Sequence, residues 1–317
     1  MSQAAYSHQP AMEAQVVAAL RPVPDGVLID ATLGGGGHSG ALLSAHPGLR
    51  LLGLDRDPAA IEAASARLAT FIDSGRAELR RARFDTLGSL AAEVFPARPV
   101  TAVLFDLGVS SPQLDRAERG FSYRHRGPLD MRMDPDQPLT AGDVVNGYPE
   151  ERLARLFRES GEARFGGRIA RAIMAGRPFQ DTVELAEVVR DAIPAATRRR
   201  GGHPAKRVFQ AIRIEVNAEL EALRSALATA LDLLAPGGRL AVLTYHSGED
   251  RLVKGAFVEA ATGGCTCPPG LPCVCGATPS HRLVFRGSRT PDAAEVARNR
   301  RAESARLRVI ERLEGTS

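Results

Sequence analysis

Leu28-Ile29-Asp30-Ala31-Thr32-Leu33-Gly34-Gly35-Gly36-Gly37-His38-Ser39-Gly40, followed by Leu51-Leu52-Gly53-Leu54-Asp55, reads as a strand, a glycine turn, a helix start and a second strand ending in a carboxylate. Glycines let backbone lie against a ligand where a Cβ would clash, and an acid closing the next strand can accept hydrogen bonds from a ribose diol. The stretch therefore predicts a parallel α/β sheet that binds an adenosine-containing cofactor.

Two cofactors compete for the loop. Gly35-x-Gly37-x-x-Gly40 fits the dinucleotide fingerprint, with Asp55 near the expected spacing of about 20 residues, so a nicotinamide or flavin enzyme is one reading. S-adenosylmethionine is the other. It has no pyrophosphate to seat on a helix N-terminus and needs only close backbone approach and the diol acceptor.

Two later segments favour the methyl donor. Val103-Leu104-Phe105-Asp106-Leu107-Gly108-Val109-Ser110-Ser111-Pro112 reads as a buried strand opening into a polar turn, where open α/β sheets place their chemistry. Leu234-Ala235-Pro236-Gly237-Gly238-Arg239-Leu240 reads as a helix end, a Pro-Gly-Gly break and a strand over Leu240 to Thr244. This step resembles the approach to the fifth strand of class I methyltransferases. The fold expected is α/β, a doubly wound class I (Rossmann-like) S-adenosylmethionine-dependent methyltransferase domain with a helical insertion domain.

The 317 residues suffice for one large domain carrying an insertion, and the hydrophobic and charged fractions, 44% and 25%, are those of a soluble globule. No apolar run reaches the roughly 18 residues of a membrane span, and no charged-then-apolar leader opens the chain, so a cytoplasmic protein is expected. The net charge is +4 and the pI about 9.1, compatible with an acidic polymer as partner. Lys206 and Lys254 are the only lysines, so arginine clusters reflect a compositional bias and carry weight only beside aromatics or a cleft.

Strand and helix signals alternate from Val27 to about Phe105, with a crossover helix over Ile61 to Leu68. From Pro112 to about Arg213 the spacing is helical, as in Glu151 to Phe157 and Val183 to Val189, with no strand pattern. The sheet pattern resumes with a long helix from about Glu215 to Leu234, and Arg306 to Arg312 alternates like an edge strand. The expected organisation is a methyltransferase domain over 1–112 and 214–317, interrupted at 113–213 by a helical insertion for substrate and RNA recognition.

The chain closely resembles the bacterial 16S rRNA cytosine-N4 methyltransferases of the RsmH (MraW) type. The likeness rests on His8-Gln9-Pro10, Gly34 to Ser39, Asp55-Arg56-Asp57-Pro58, Asp106 to Gln113 and Glu118 to Ser122. It extends through Gly127 to Asp134, His203-Pro204-Ala205, Phe209 to Asn217 and Tyr245 to Arg251, covering most of the chain. The resemblance implies S-adenosylmethionine as cofactor, held by Gly36, Gly37, His38, Asp55, Phe84, Asp106 and Gln113. Asp55 would take the ribose hydroxyls, Phe84 the adenine face, and Asp106 with Gln113 the polar methionine end. It also implies the partner, 16S rRNA of the small ribosomal subunit, and the target, a cytidine N4 amine in the decoding region.

That amine is a poor nucleophile because its lone pair is delocalised into the ring. Oxygen acceptors for its N–H groups are needed, with methyl, sulfur and nitrogen in line at roughly 3–3.5 Å between reacting atoms. Asp106, Ser110 and Ser111 occupy the turn where such acceptors belong. DNA amino-methyltransferases, the alternative class, commonly carry Asn/Asp-Pro-Pro-aromatic here, whereas this chain has Asp106-Leu107-Gly108-Val109. A stacking partner for the base must come from elsewhere, and Phe121 and Tyr123 are the candidates.

Other features admit two readings each. His246, followed by Glu249 and Asp250, either holds the base and helps remove the surplus proton, or caps a strand end before a helix with acidic first-turn residues. His38 in the glycine turn is either a proton shuttle or, as favoured here, a hydrogen-bond partner of backbone or cofactor. Arg198 to Arg207 and Arg164-Phe165-Gly166-Gly167-Arg168 are either phosphate contacts or solvated charge. All four cysteines lie in Cys265-Thr266-Cys267-Pro268-Pro269-Gly270-Leu271-Pro272-Cys273-Val274-Cys275, as a zinc site or as a reduced loop that meets the substrate. Cys-x-Cys is tighter than the usual Cys-x₂-Cys, and no metal is assigned. A non-catalytic RNA-binding protein retaining the fold would share all these features except the reaction.

Overall fold

The computed structural model describes residues 10–162, 164–195, 203–268 and 274–315, and for Ser111 the backbone only. The chain forms two compact units: one made by the chain up to Gly108 with the chain from Leu220 on, the other by Val109–Glu219.

The first unit holds a seven-stranded sheet. Its strands are β1 (Gly26–Asp30), β2 (Leu49–Asp55), β3 (Ala77–Arg81), β4 (Val100–Asp106), β5 (Leu234–Thr244), β6 (His281–Leu283) and β7 (Arg306–Arg312), in the order β3-β2-β1-β4-β5-β7-β6. The first five are parallel, while β7 pairs antiparallel with β5 and β6. Strands buried on both faces need unbroken apolar runs, and β1 is buried at every position. Alternation then sorts side chains between two helical layers. Leu28, Ala102, Leu104, Ala241 and Leu243 face one core, and Val27, Ile29, Val103, Phe105, Leu240 and Val242 the other. Each large aliphatic buried this way stabilises by about 1.5–3 kcal/mol.

The crossover helix expected after β2 spans Pro58–Arg67, with Asp57 as cap accepting from the Ala59 N–H at 3.1 Å. Three expectations are corrected. The Pro-Gly-Gly step is no break: β5 runs from Leu234, and residues 235–238 bulge out between the pairs Val100–Leu234 and Ala102–Arg239, with Gly237 at φ 76°. The helix expected over Glu215 to Leu234 is two, Ala205–Asn217 and Glu219–Leu233, parted by Ala218 at φ 49°. Finally, β7 is not an edge strand, because the three-residue β6 covers it. Glu311 of β7 ties this side together, accepting from Arg239 of β5 at 2.9 Å and Arg282 of β6 at 2.6 Å.

The second unit has helices and turns, with no named strand among its described residues. Glu150–Glu159 and Thr182–Ala192 are helices, the latter capped by Asp181, which accepts from Val183 and Glu184 N–H. Asn217, only 1% exposed, accepts from Met133 N–H at 2.9 Å and donates to the Met131 carbonyl at 2.8 Å. One amide thereby fixes the Gly127 to Asp134 segment, where Met131 adopts φ 57°. No described helix is long and apolar enough to cross a membrane.

Candidate active site at the carboxyl edge of the sheet

Strand order reverses between β1 and β4, and in open α/β sheets ligands bind outside the strand ends at that point. The turn after β1 is shaped by buried Asp30, whose carboxylate accepts from Thr32 N–H at 3.2 Å and Ser39 hydroxyl at 2.6 Å. Burial raises the Asp30 carboxyl to about 6 against these hydrogen bonds. Gly34 and Gly36 take positive φ, 51° and 73°, and Gly36 begins the Gly37–Ala45 helix. At Gly37 a Cβ would stand 2.4 Å from the Pro10 ring, so only glycine fits.

Asp55, at the end of β2, reaches back to this turn. One oxygen accepts from Gly34 N–H and the other from Asp57 N–H, both at 2.9 Å. Burial raises its carboxyl, opposed by those two donors. Phe84 follows β3 in a short 3₁₀ turn and packs its ring edge-on to Phe105, centroids 5.7 Å apart.

Asp106 closes β4. Its N–H donates to Thr32 Oγ1 at 2.5 Å, and its Oδ1 accepts from the Tyr245 hydroxyl at 2.7 Å. Its Oδ2 stands 3.5 Å from His38 Nε2. His38 is 5% exposed, and neither ring nitrogen has a hydrogen-bond partner among the described residues. Burial pulls His38 down, but Asp106 and Asp30 outweigh it and leave the imidazole raised above its ordinary value. Tyr245 is held well above the usual phenol range by burial and by the Asp106 carboxylate.

The structure thus gathers Gly36, Gly37, His38, Asp55 and Asp106 around the β1 turn, with Phe84 on the same strand-end side. It adds Tyr245 and Asp30, to which nothing local in the sequence gives a role. His246 is the cap of the Ser247–Thr262 helix: its Nδ1 accepts from Gly248 and Glu249 N–H at 3.1 and 3.3 Å. Glu249 closes the box by accepting from Tyr245 and His246 N–H, and Asp250 pairs with Arg308 at 2.8 Å, which lowers its carboxyl.

The remaining expected residues belong to the second unit. Ser110 precedes the Ser111–Asp115 helix, and its N–H donates to Gln113 Oε1 at 3.0 Å. The Ser111 side chain lies outside the described part. Phe121, 6% exposed, sits in the core of this unit, which leaves no ring face for a base and corrects that expectation. Tyr123 is stacked on His203 with centroids 4.6 Å apart. Arg164 lies over Phe165 at 5.1 Å. Of the basic stretch Arg198 to Arg207, residues 198–202 lie outside the described residues.

A doubly wound sheet with a reversed seventh strand, a glycine turn after β1 and acids ending β2 and β4 defines a class I methyltransferase. The MraW methylase family profile matches residues 5–313, and the chain belongs to that family. A Heliobacterium modesticaldum protein named ribosomal RNA small subunit methyltransferase H is 49% identical, over 97% of this chain and 99% of its own. A Thermobifida fusca protein of the same name is 52% identical, over 96% and 93%. The solved structure titled a putative rRNA-methylase from Clostridium thermocellum covers 96% of this chain and 100% of its own at 14% identity, with a TM-score of 0.45.

Proposed function

We infer that the protein transfers a methyl group from S-adenosylmethionine to the exocyclic N4 amine of a cytidine in 16S rRNA of the small ribosomal subunit. The observation that carries this reading is the Asp106 carboxylate, locked by Tyr245 at the switch point and faced at 3.5 Å by the buried imidazole of His38.

The residues fit the cofactor. Gly34 and Gly36 leave bare backbone in the turn. Each Asp55 oxygen has one of these two backbone donors, which leaves lone pairs for a ribose diol. His38 offers two ring nitrogens in a site closed to water. When bound, S-adenosylmethionine supplies a methyl carbon made electrophilic by its sulfonium.

The chain's own groups do the rest. Asp55 holds the ribose, Phe84 covers the adenine, and Gly36, Gly37 and His38 line the turn. Asp106 presents Oδ2 to an amine N–H, since Oδ1 is engaged by Tyr245. Accepting that hydrogen bond draws electron density toward nitrogen and orients its lone pair, a positioning effect of the kind that dominates such reactions. The family resemblance adds Gln113 at the methionine end; by their place on the turn after β4 Ser110 and Ser111 are further acceptors, and His246 either contacts the base or serves only as the helix cap.

The test is methyl transfer to small-subunit particles with purified protein, read by mass spectrometry of the rRNA. Methylated cytidine is expected with the natural chain, and Asp106→Ala should lose about 10²–10³-fold in rate. Full activity in that variant, or methylation of duplex DNA in place of rRNA, would overturn the reading.

A further inference from the structure

The site at the sheet edge makes no use of the loop after the Ser247–Thr262 helix, which carries all four cysteines of the chain. The base of this loop is pinned. Gly263 ends the helix at φ 62°, Cys265 N–H donates to the Thr262 carbonyl at 3.2 Å, and Ser280 N–H donates to the Ala260 carbonyl at 3.1 Å. Between those ends no described residue is buried, and Val274 is 89% exposed. The described residues of this segment form no apolar core to hold one conformation, the situation in which small structures rely on a cross-link or a metal.

The loop nevertheless converges on sulfur. Sγ of Cys265, Cys267 and Cys275 all lie within 4.8 Å of one another, and those of Cys265 and Cys275 are 3.6 Å apart. None of the three is in a disulfide. A disulfide needs about 2.05 Å between sulfurs. Thiolates about 2.3 Å from a tetrahedral zinc stand about 3.8 Å apart, close to the 3.6 Å between Cys265 and Cys275, with Cys267 within 4.8 Å of both. Val274 N–H also points at Cys267 Sγ, at 3.5 Å, a donor that favours the thiolate over the thiol. The group contains sulfur ligands only, a soft set that selects zinc over magnesium or calcium.

We propose that Cys265, Cys267 and Cys275 bind a zinc ion that staples this loop between the helix and β6. These three thiolates supply three of the four positions of a tetrahedral zinc, and Cys273 lies outside the described residues. Zinc here is structural, remote in sequence from every residue assigned to methyl transfer except those at the start of the same helix. Its presence is therefore measurable independently of that reaction.

The full chain, purified without chelator, should retain about one zinc per molecule by elemental mass spectrometry after gel filtration. Cobalt titration of metal-free protein should give sulfur-to-cobalt charge-transfer bands in the near ultraviolet, a readout that requires no variant. Cys267→Ser and Cys275→Ser should each lower retained zinc by about tenfold or more, with circular dichroism unchanged. Chelation should also speed thermolysin cleavage between Gly264 and Ser280 several-fold. The proposal is overturned by a negligible zinc content, by iron or copper in its place, by cobalt spectra lacking sulfur bands, by zinc retained in both variants, or by an unchanged cleavage rate.

Discussion

Two sides of one sheet edge are built from different materials. Beside β1 and β2 the site is backbone: glycines at positive φ and amide hydrogens of Gly34 and Asp57 gathered on Asp55. Beside β4 and β5 it is side chain: Asp106 held by Tyr245 and faced by His38. The first side can shape itself around any nucleoside of the right size, whereas the second is a specific arrangement of ionisable groups. Binding should therefore follow the first and turnover the second.

Asp55→Ala should break the binding side most. It removes the diol acceptor and two loop anchors together, so cofactor affinity in calorimetry should fall by about 100-fold, the effect of losing charged hydrogen bonds worth about 3 kcal/mol. Unchanged affinity would place the nucleoside elsewhere.

Asp30 separates stability from both functions. Its carboxyl is raised in the fold from 3.8 to about 6. The protonated form is thus favoured by folding, so the stabilisation is fully present below about pH 4 and lost as pH rises through about 6, a change of about 3 kcal/mol. Urea unfolding across that window should show a slope that is smaller in Asp30→Asn than in the natural chain by about this amount, Asp55 and His38 supplying the remainder.

Tyr245→Phe should sharpen the comparison on the turnover side. Loss of one hydrogen bond to a carboxylate predicts about a tenfold fall in kcat with cofactor affinity nearly unchanged. Equal losses in both would assign Tyr245 to binding. The smallest effect belongs to His246→Asn. Asparagine caps a helix as well as this imidazole does, so stability should stay within about 0.5 kcal/mol and rate within about threefold if capping is the whole role. A large loss of rate with stability intact would restore His246 to the chemistry.

The same contrast explains what the sequence disclosed. Glycines and strand-end acids announce themselves locally, so the turn, Asp55 and Asp106 were legible. Tyr245 was not, because its meaning depends on a contact to Asp106 that spans 139 residues. Asp30 reads as the last residue of a strand until its burial is known. Phe121 is a stacking candidate in the sequence because it lies just beyond a turn that lacks an aromatic, yet its ring belongs to the core of the second unit. Ala218 carries no propensity for the left-handed region, so nothing in its type divides the two helices there. In β7 the alternation was correct and the position wrong, since three residues of β6 show no pattern of their own.

The chain order of the sheet has a consequence for synthesis. Phe105 of β4 pairs with Val242 of β5, and the whole of Val109–Glu219 is made between them. A nascent chain can therefore finish its helical unit while β4 still has one side open, and the sheet closes only when β5 and then β7 have left the ribosome. Closing so distant a pairing costs more chain entropy than a local contact does. Tyr245 follows directly on β5, so its hydrogen bond to Asp106 can form only after the whole of Val109–Glu219 has been made.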